Sequence, residues 1–178
     1  MNTSPSIQYL CTTSPVGALL MAADNNGLCA ILLADSSTDA HALLQERFPQ
    51  TGLQESTDNR LQADMSRLQA WLKDPGQPLE LGLPLTPRGS AFQQQVWLAL
   101  RQTQPGQMLS YRQLAEQLGK PGASRAVASA CAANPLALVI PCHRIVRSDG
   151  SLSGYRWGIA RKQQLLRMEQ EAMLAQAS

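Results

Sequence analysis

Between residues 83 and 89 the chain reads Leu-Pro-Leu-Thr-Pro-Arg-Gly, and no regular helix or central strand can run through it. Each proline lacks an N–H and fixes φ, and each also pushes the residue before it out of the helical region. The sequence differs in character on either side of this break. Residues 1–87 hold four Lys/Arg against nine Asp/Glu, a net of −5, and residues 88–178 hold eleven against four, a net of +7. The whole-chain charge of +2 conceals the division. A basic half beside an acidic one is the footprint expected of a chain that meets a polyanion, although a solvated charged surface would read the same way. The expected domains are therefore 1–84, a supporting part, and 85–178, the part that carries the chemistry.

The first part reads as a small antiparallel sheet with helices. Strand-like runs occupy 7–12, 18–23 and 28–33, and Asn25-Asn26-Gly27 between the last two is a hairpin signal. A short helix is predicted over 38–47, with Leu43, Leu44 and Phe48 as its apolar contribution. A stronger one is predicted over 58–73, where Leu61, Met65, Leu68 and Leu72 recur at helical spacing before Asp74-Pro75-Gly76. No chemistry is evident here: Cys11 and Cys29 suit core packing, and His41 falls on a polar helix face.

The second part reads as mostly helical. Ser90-Ala91-Phe92-Gln93 is a capping box, and Phe92, Val96 and Leu100 give the helix behind it a buried face. A second box, Ser110-Tyr111-Arg112-Gln113, opens a helix to Leu118, with Gly119 placed as its C-terminal cap. After Lys120-Pro121-Gly122 an alanine-rich helix spans about 123–133, so the order is helix, glycine turn, helix: a helix-turn-helix pattern. Arg125 is the only long polar side chain of that last helix. Its small neighbours would let the backbone lie against a nucleic-acid groove, or simply pack tightly in a core.

Next comes Asn-Pro-Leu-Ala-Leu-Val-Ile-Pro-Cys-His-Arg over 134–144. Five apolar residues between Pro135 and Pro141 predict a short buried strand, which delivers Cys142 beside His143 and Arg144, two groups that can favour a thiolate. A loop with Gly150, Gly154 and Gly158, and with Tyr155 and Trp157 between them, is suited to shaping a pocket for a flat ligand. A final helix starts near Ile159 and carries Arg161, Lys162, Arg167 and Glu169.

Pro141-Cys142-His143-Arg144, after a helix-turn-helix and before Ser153-Gly154-Tyr155, resembles the O6-alkylguanine-DNA alkyltransferases. The likeness extends to the alkyltransferase part of the family's bacterial adaptive-response members; it covers nearly the whole chain and is strongest over 91–169. It implies irreversible transfer of an alkyl group from O6 of guanine in double-stranded DNA to Cys142, one turnover per molecule and without a cofactor. His143 matches the residue that takes the thiol proton through a water, and Glu169 the acid that orients it. A direct Cys142–His143 hydrogen bond is not expected, because neighbours on an extended segment point apart. Asn134 matches the residue that holds the active-site turn, Tyr155 the one that contacts the flipped base, and Tyr111 the tyrosine that rotates the nucleotide out. Arg125 matches the arginine that fills the vacated stack from the minor groove, while Arg112, Lys120 and Gln93 are implied backbone contacts. Pro141 and Trp157 are assigned to the substrate pocket; Trp157 stands where many relatives have a small residue.

The zinc-bearing N-terminal module of adaptive-response members is not expected, and with only His41 and His143 in the chain no metal site is expected either. Four cysteines without a C-x-x-C pair, no signal-like N-terminus and no membrane-length apolar run suggest a cytoplasmic monomer that keeps its thiols reduced. Two other readings stay open: a lesion binder that does no chemistry, and a cysteine hydrolase using Cys142, His143 and Glu169.

Overall fold

The computed structural model describes residues 6–178; residues 1–5, read above for targeting signals, lie outside the described residues. Contacts gather the chain into two compact units. Of the described residues, the first holds those through Lys73 with Leu79–Arg88 and Pro135–Ala137; the second holds Asp74–Pro78, Gly89–Asn134 and Leu138–Ser178.

In the first unit β1 (Ser6–Ser14), β2 (Gly17–Asp24), β3 (Gly27–Ala34) and β4 (Gly52–Glu55) form one sheet in the order β3-β2-β1-β4. The first three are antiparallel neighbours, and β4 lies parallel to β1. The Asn25-Asn26 turn closes through the Asp24 carboxylate, which accepts from the N–H groups of Asn26 at 2.8 Å and Gly27 at 3.2 Å. Gly27 has φ +145°, and a Cβ there would come within 2.2 Å of the Pro84 carbonyl oxygen, so no other residue suits the position. Helices α1 (Ser37–Arg47) and α2 (Asn59–Lys73) follow the predicted spans, and α2 buries Leu61, Met65, Leu68 and Leu72 as their spacing requires. His41 is not merely solvated: its ring meets Tyr9 edge-on, with centroids 4.5 Å apart.

Strand β3 is buried at every position, which a bare sheet edge would not allow. Its outer side is covered by irregular chain. Leu28 N–H donates to Pro84 C=O (2.8 Å) and Thr86 N–H to Leu28 C=O (2.9 Å), while Ile31 exchanges hydrogen bonds with Pro135 and Ala137 (2.9 and 3.0 Å). Covering the edge is what permits a near-continuous apolar run. The proline-rich stretch is therefore not a free linker. The buried Asp64 carboxylate reinforces it, accepting from Gly82 N–H at 2.7 Å and Leu83 N–H at 2.9 Å.

The second unit holds α3 (Ala91–Arg101), α4 (Tyr111–Gln117), α5 (Ser124–Ala132) and α6 (Ile159–Ala177), with short parallel strands β5 (Leu109–Ser110) and β6 (Ile145–Val146). Both predicted capping boxes close, at Ser90/Gln93 and Ser110/Gln113. Helix α4 ends as its glycine predicts. Gly119 has φ +71°, its N–H donates to Glu116 C=O, and Lys120 N–H reaches Ala115 C=O; that pair of bonds is the Schellman arrangement. Trp97 of α3 donates from Nε1 to Ala130 C=O of α5 at 2.8 Å, which fixes the two helices against each other.

The strand predicted before Cys142 is absent. Leu136 makes a single bridge to Ile31, residues 137–139 form a turn, and Leu138 lies in the left-handed region at φ +73°. An apolar run marks burial, and a buried turn meets that demand as well as a strand does. Among the described residues, no helix is long and apolar enough to cross a membrane.

Candidate active site

Pro141 sits at φ −82°, ψ 62°, and Cys142 N–H donates across it to Ile140 C=O at 2.8 Å, an inverse γ-turn that the fixed proline φ favours. One turn of 3₁₀ helix, Cys142–Arg144, follows. Cys142 and His143 are thus not neighbours on an extended segment, as the sequence had suggested. Asn134, fully buried past the end of α5, ties the hairpin-like loop together. Its Nδ2 donates to Ile140 C=O at 2.8 Å and to Cys142 Sγ at 3.1 Å.

Behind the cysteine lies a buried charged cluster. The Glu169 carboxylate of α6 bonds His143 Nε2 at 2.7 Å, and accepts from Arg144 Nη2 at 2.9 Å, Arg144 Nε at 3.0 Å and Gly106 N–H at 3.0 Å. Arg144 Nη1 in turn donates to the carbonyl (2.8 Å) and hydroxyl (3.0 Å) of Thr103. Burial alone would raise the Glu169 pKa, but the hydrogen bonds from His143 and Arg144, with the Arg144 charge, outweigh it and hold the carboxyl at about 2. Burial moves His143 the other way, below its usual value, despite the pull of Glu169. At neutral pH the pair is therefore a neutral imidazole and a carboxylate. An ionised carboxylate can only accept, so the imidazole proton sits on Nε2 and the Nδ1 lone pair is free. Nδ1 is buried and has no hydrogen-bond partner among the described residues.

Arg144 does not serve the thiol as expected; it serves Glu169. Cys142 itself is pushed up to about 11, chiefly by burial, with the Asn134 hydrogen bond and the charges of Lys162 and Arg156 pulling against it. The resting group is a thiol, and removal of its proton has to accompany its reaction.

Lys162 was read only as one of the cations of the last helix, yet it is 1% exposed. Its ammonium donates to Ser153 C=O at 3.4 Å, and burial lowers its pKa. A signal was present in the sequence. Lys162, Leu165, Leu166 and Glu169 share the i, i+3, i+4, i+7 face that α6 buries, so both charges lie in phase with the apolar stripe.

Cys142 opens on a cavity of about 560 Å³, whose lining includes Tyr111, Arg125, Cys131, Arg147, Tyr155 and Arg156. That volume is within the usual range for a small-molecule site. Tyr111 Oη is hydrogen-bonded to Ser153 Oγ of the glycine loop. Tyr155 is half-buried, but its hydroxyl oxygen is buried and has no partner among the described residues. Pro141 and Trp157, both assigned to the pocket from the sequence, are not among the lining residues. Pro141 shapes the turn that delivers Cys142. Trp157 is buried and meets Tyr155 edge-on at 5.3 Å, with the Arg156 guanidinium 5.7 Å from its ring centre.

The remaining expected residues lie on the helices or in the turn between α4 and α5. Arg125 is exposed on the first turn of α5. Arg112 is exposed and pairs with Glu116 at 3.1 Å, Lys120 rests 4.8 Å over the Phe92 ring, and Gln93 spends its carbonyl on the Ser90 N–H in the α3 cap.

Residues 91–171 match the sequence model of the 6-O-methylguanine DNA methyltransferase, DNA binding domain, family. A methylated-DNA–protein-cysteine methyltransferase of Mycolicibacterium paratuberculosis is 36% identical over 163 residues, 92% of each chain. The chain belongs to this family. It is also 49% identical over 93% of its length to the bifunctional transcriptional activator/DNA repair enzyme Ada of Escherichia coli K12, of which it spans about half (46%). Among solved structures, the Mycobacterium tuberculosis member in complex with DNA has a TM-score of 0.76 at 31% identity, covering 93% of this chain and 94% of that one. The likeness extends to the mixed sheet-and-helix first part and the mostly helical second part.

Proposed function

We propose that this chain repairs DNA by moving the alkyl group of O6-alkylguanine, chiefly methyl, onto Cys142, once per molecule. The observation that carries the reading is a buried thiol at a cavity beside a neutral imidazole, whose free Nδ1 is fixed by an ionised partner on Nε2. His143 accepts the thiol proton, relayed by a water, as sulfur attacks the alkyl carbon. The S–C bond forms, the C–O6 bond breaks, and the electron pair leaves with guanine, which takes up a proton. Atoms and charge balance, with S-alkylcysteine and guanine as products. Glu169 holds the tautomer and stabilises the transient imidazolium. No group in this scheme restores the thiol.

The target base is stacked in duplex DNA and has to be flipped out to reach a buried thiol. The family likeness supports duplex DNA as partner, with Arg125 filling the vacated stack and Tyr111 turning the nucleotide out. Tyr155 would contact the base, and Asn134 would hold the turn. Arg112, Lys120 and Gln93 would touch the backbone; Glu116 and the α3 cap already engage the first and last of these, so their share is smaller. In this reading the division at 84/85 separates a supporting domain from the acceptor domain, and the protein acts as a cytoplasmic monomer. Mass spectrometry after incubation with a duplex containing O6-methylguanine is the test. The expected result is one methyl group, on the peptide bearing Cys142, and none on Cys142→Ala. Sustained turnover, or label released as methanol, would favour a hydrolase and end the proposal.

A further inference from the structure

Three arginines from three different elements line the Cys142 cavity: Arg125 on α5, Arg147 just after β6, and Arg156 in the glycine loop. Among the described residues no Asp or Glu lines it, and none of the three arginines has a carboxylate within ion-pair distance. Four other arginines do: Arg60 with Asp58, Arg67 with Asp64, Arg88 with Asp24 and Arg112 with Glu116. Asp149, close to Arg147 in sequence, feels that charge at longer range, but its Oδ1 is engaged by the Ser151 hydroxyl at 2.6 Å and the Ser151 N–H at 2.9 Å, which do most to hold it below the usual carboxylate range. Among the described residues Arg156 gives one guanidinium N–H to Asn134 C=O at 3.1 Å, and the group carries five such donors.

Crowding like charges around one opening is unfavourable unless an anion neutralises them. The floor cannot do so, because Cys142 rests as a neutral thiol. A guanine base is also neutral, so the base alone does not explain the rim. What enters with an extruded nucleotide, and is anionic, is the phosphodiester on each side of it. Planar guanidinium donors suit phosphate oxygens. Resting on the alkyl-transfer reading, we propose that Arg147 and Arg156 are further positioning residues. With Arg125 they form a rim that holds the phosphodiesters flanking the flipped nucleotide and so seats the base over Cys142.

The test uses the full chain with two substrates, a duplex bearing one O6-methylguanine and the free base O6-methylguanine, which has no phosphate. For Arg147→Gln, Arg156→Gln and the double variant, DNA affinity is measured against salt, and single-turnover methyl transfer is measured on both substrates. Each substitution should reduce the slope of log affinity against log salt by about 0.7–0.9, and the double variant by about twice that. The ratio of the duplex rate to the free-base rate should fall roughly tenfold or more in the double variant. Arg147→Lys should recover most of the slope, since it keeps the charge. An unchanged slope in the double variant would overturn the rim. So would a loss in equal proportion on both substrates, which would place these arginines in the fold or the thiol environment. Wild-type protein that left Cys142 unmethylated by either substrate would refute the alkyl-transfer reading itself, so the two failures are distinguishable.

Discussion

Glu169→Gln removes one charge and changes little in shape, and its effects can be worked out from the geometry around it. The wild-type carboxylate answers four donor groups: His143 Nε2, Arg144 Nε and Nη2, and the Gly106 N–H. A glutamine has one oxygen and one NH₂. If the oxygen takes the Oε2 position, on Arg144 Nε and the Gly106 N–H, the NH₂ faces His143 Nε2 and Arg144 Nη2, and the imidazole has to turn its lone pair there and carry its proton on Nδ1. The base for Cys142 is then lost. Arg144 meanwhile keeps a buried charge with no counter-charge beyond the neutral groups of Thr103. Stranding one partner of a buried ion pair costs about 3–5 kcal/mol, and a positioned general base is worth roughly 10²–10⁴ in rate. Urea unfolding should show the first effect. Single-turnover methyl transfer at a temperature where both proteins are fully folded should show the second. Glu169→Asp, which keeps the charge on a shorter arm, should fall between the two. A Gln variant within about 1 kcal/mol of wild-type stability and within roughly threefold of its rate would refute both the counter-charge and the tautomer argument.

Stability should fall with acid in two stages. The buried neutral His143 has its pKa lowered, so its contribution is present above the ordinary histidine value near 6.5 and fades as pH drops below it. Glu169, held at about 2 against an ordinary 4.5, contributes fully above 4.5 and loses its contribution as pH falls toward 2; denaturant titrations between pH 7 and 2 measure both. The transfer rate should decline below neutral pH for the same reason, as His143 protonates, and a rate that rose in acid would remove it as the base. Trp157→Gly should lower stability by about 3–5 kcal/mol and, by letting Tyr155 and Arg156 relax from the cavity wall, should raise the rate with O6-benzylguanine relative to O6-methylguanine. An unchanged rate ratio would mean that the indole only supports the loop. Arg125→Ala should slow repair of duplex DNA roughly tenfold or more beyond its effect on the free base; equal loss on both substrates would place Arg125 in the fold.

What could be read from the one-dimensional chain was whatever depends on near neighbours. Capping boxes at Ser90 and Ser110, the left-handed Gly119, the Asn-Asn-Gly hairpin and the apolar spacing of α2 are local, because each is settled within one turn or one loop. The order of elements around Pro-Cys-His-Arg carried the family and the cysteine. Other features arise only when distant segments meet. Residues 84–86 and 135–137 lie along β3 because an all-apolar strand needs its edge covered, and no periodicity in those segments announces it. The run before Cys142 satisfied burial without becoming a strand, since the left-handed Leu138 and the turn at Pro141 redirected it. Arg144 looked like a partner for the thiol because it is two residues away. It faces Glu169 instead, since a buried carboxylate in low dielectric takes the strongest donor within reach. Arg147 and Arg156 lay outside any motif, because only folding brings a turn, a glycine loop and α5 to one opening. Lys162 and Glu169 were in view as charges on a helix; that both point inward follows from the face of α6 that packs, and packing is a property of the folded unit.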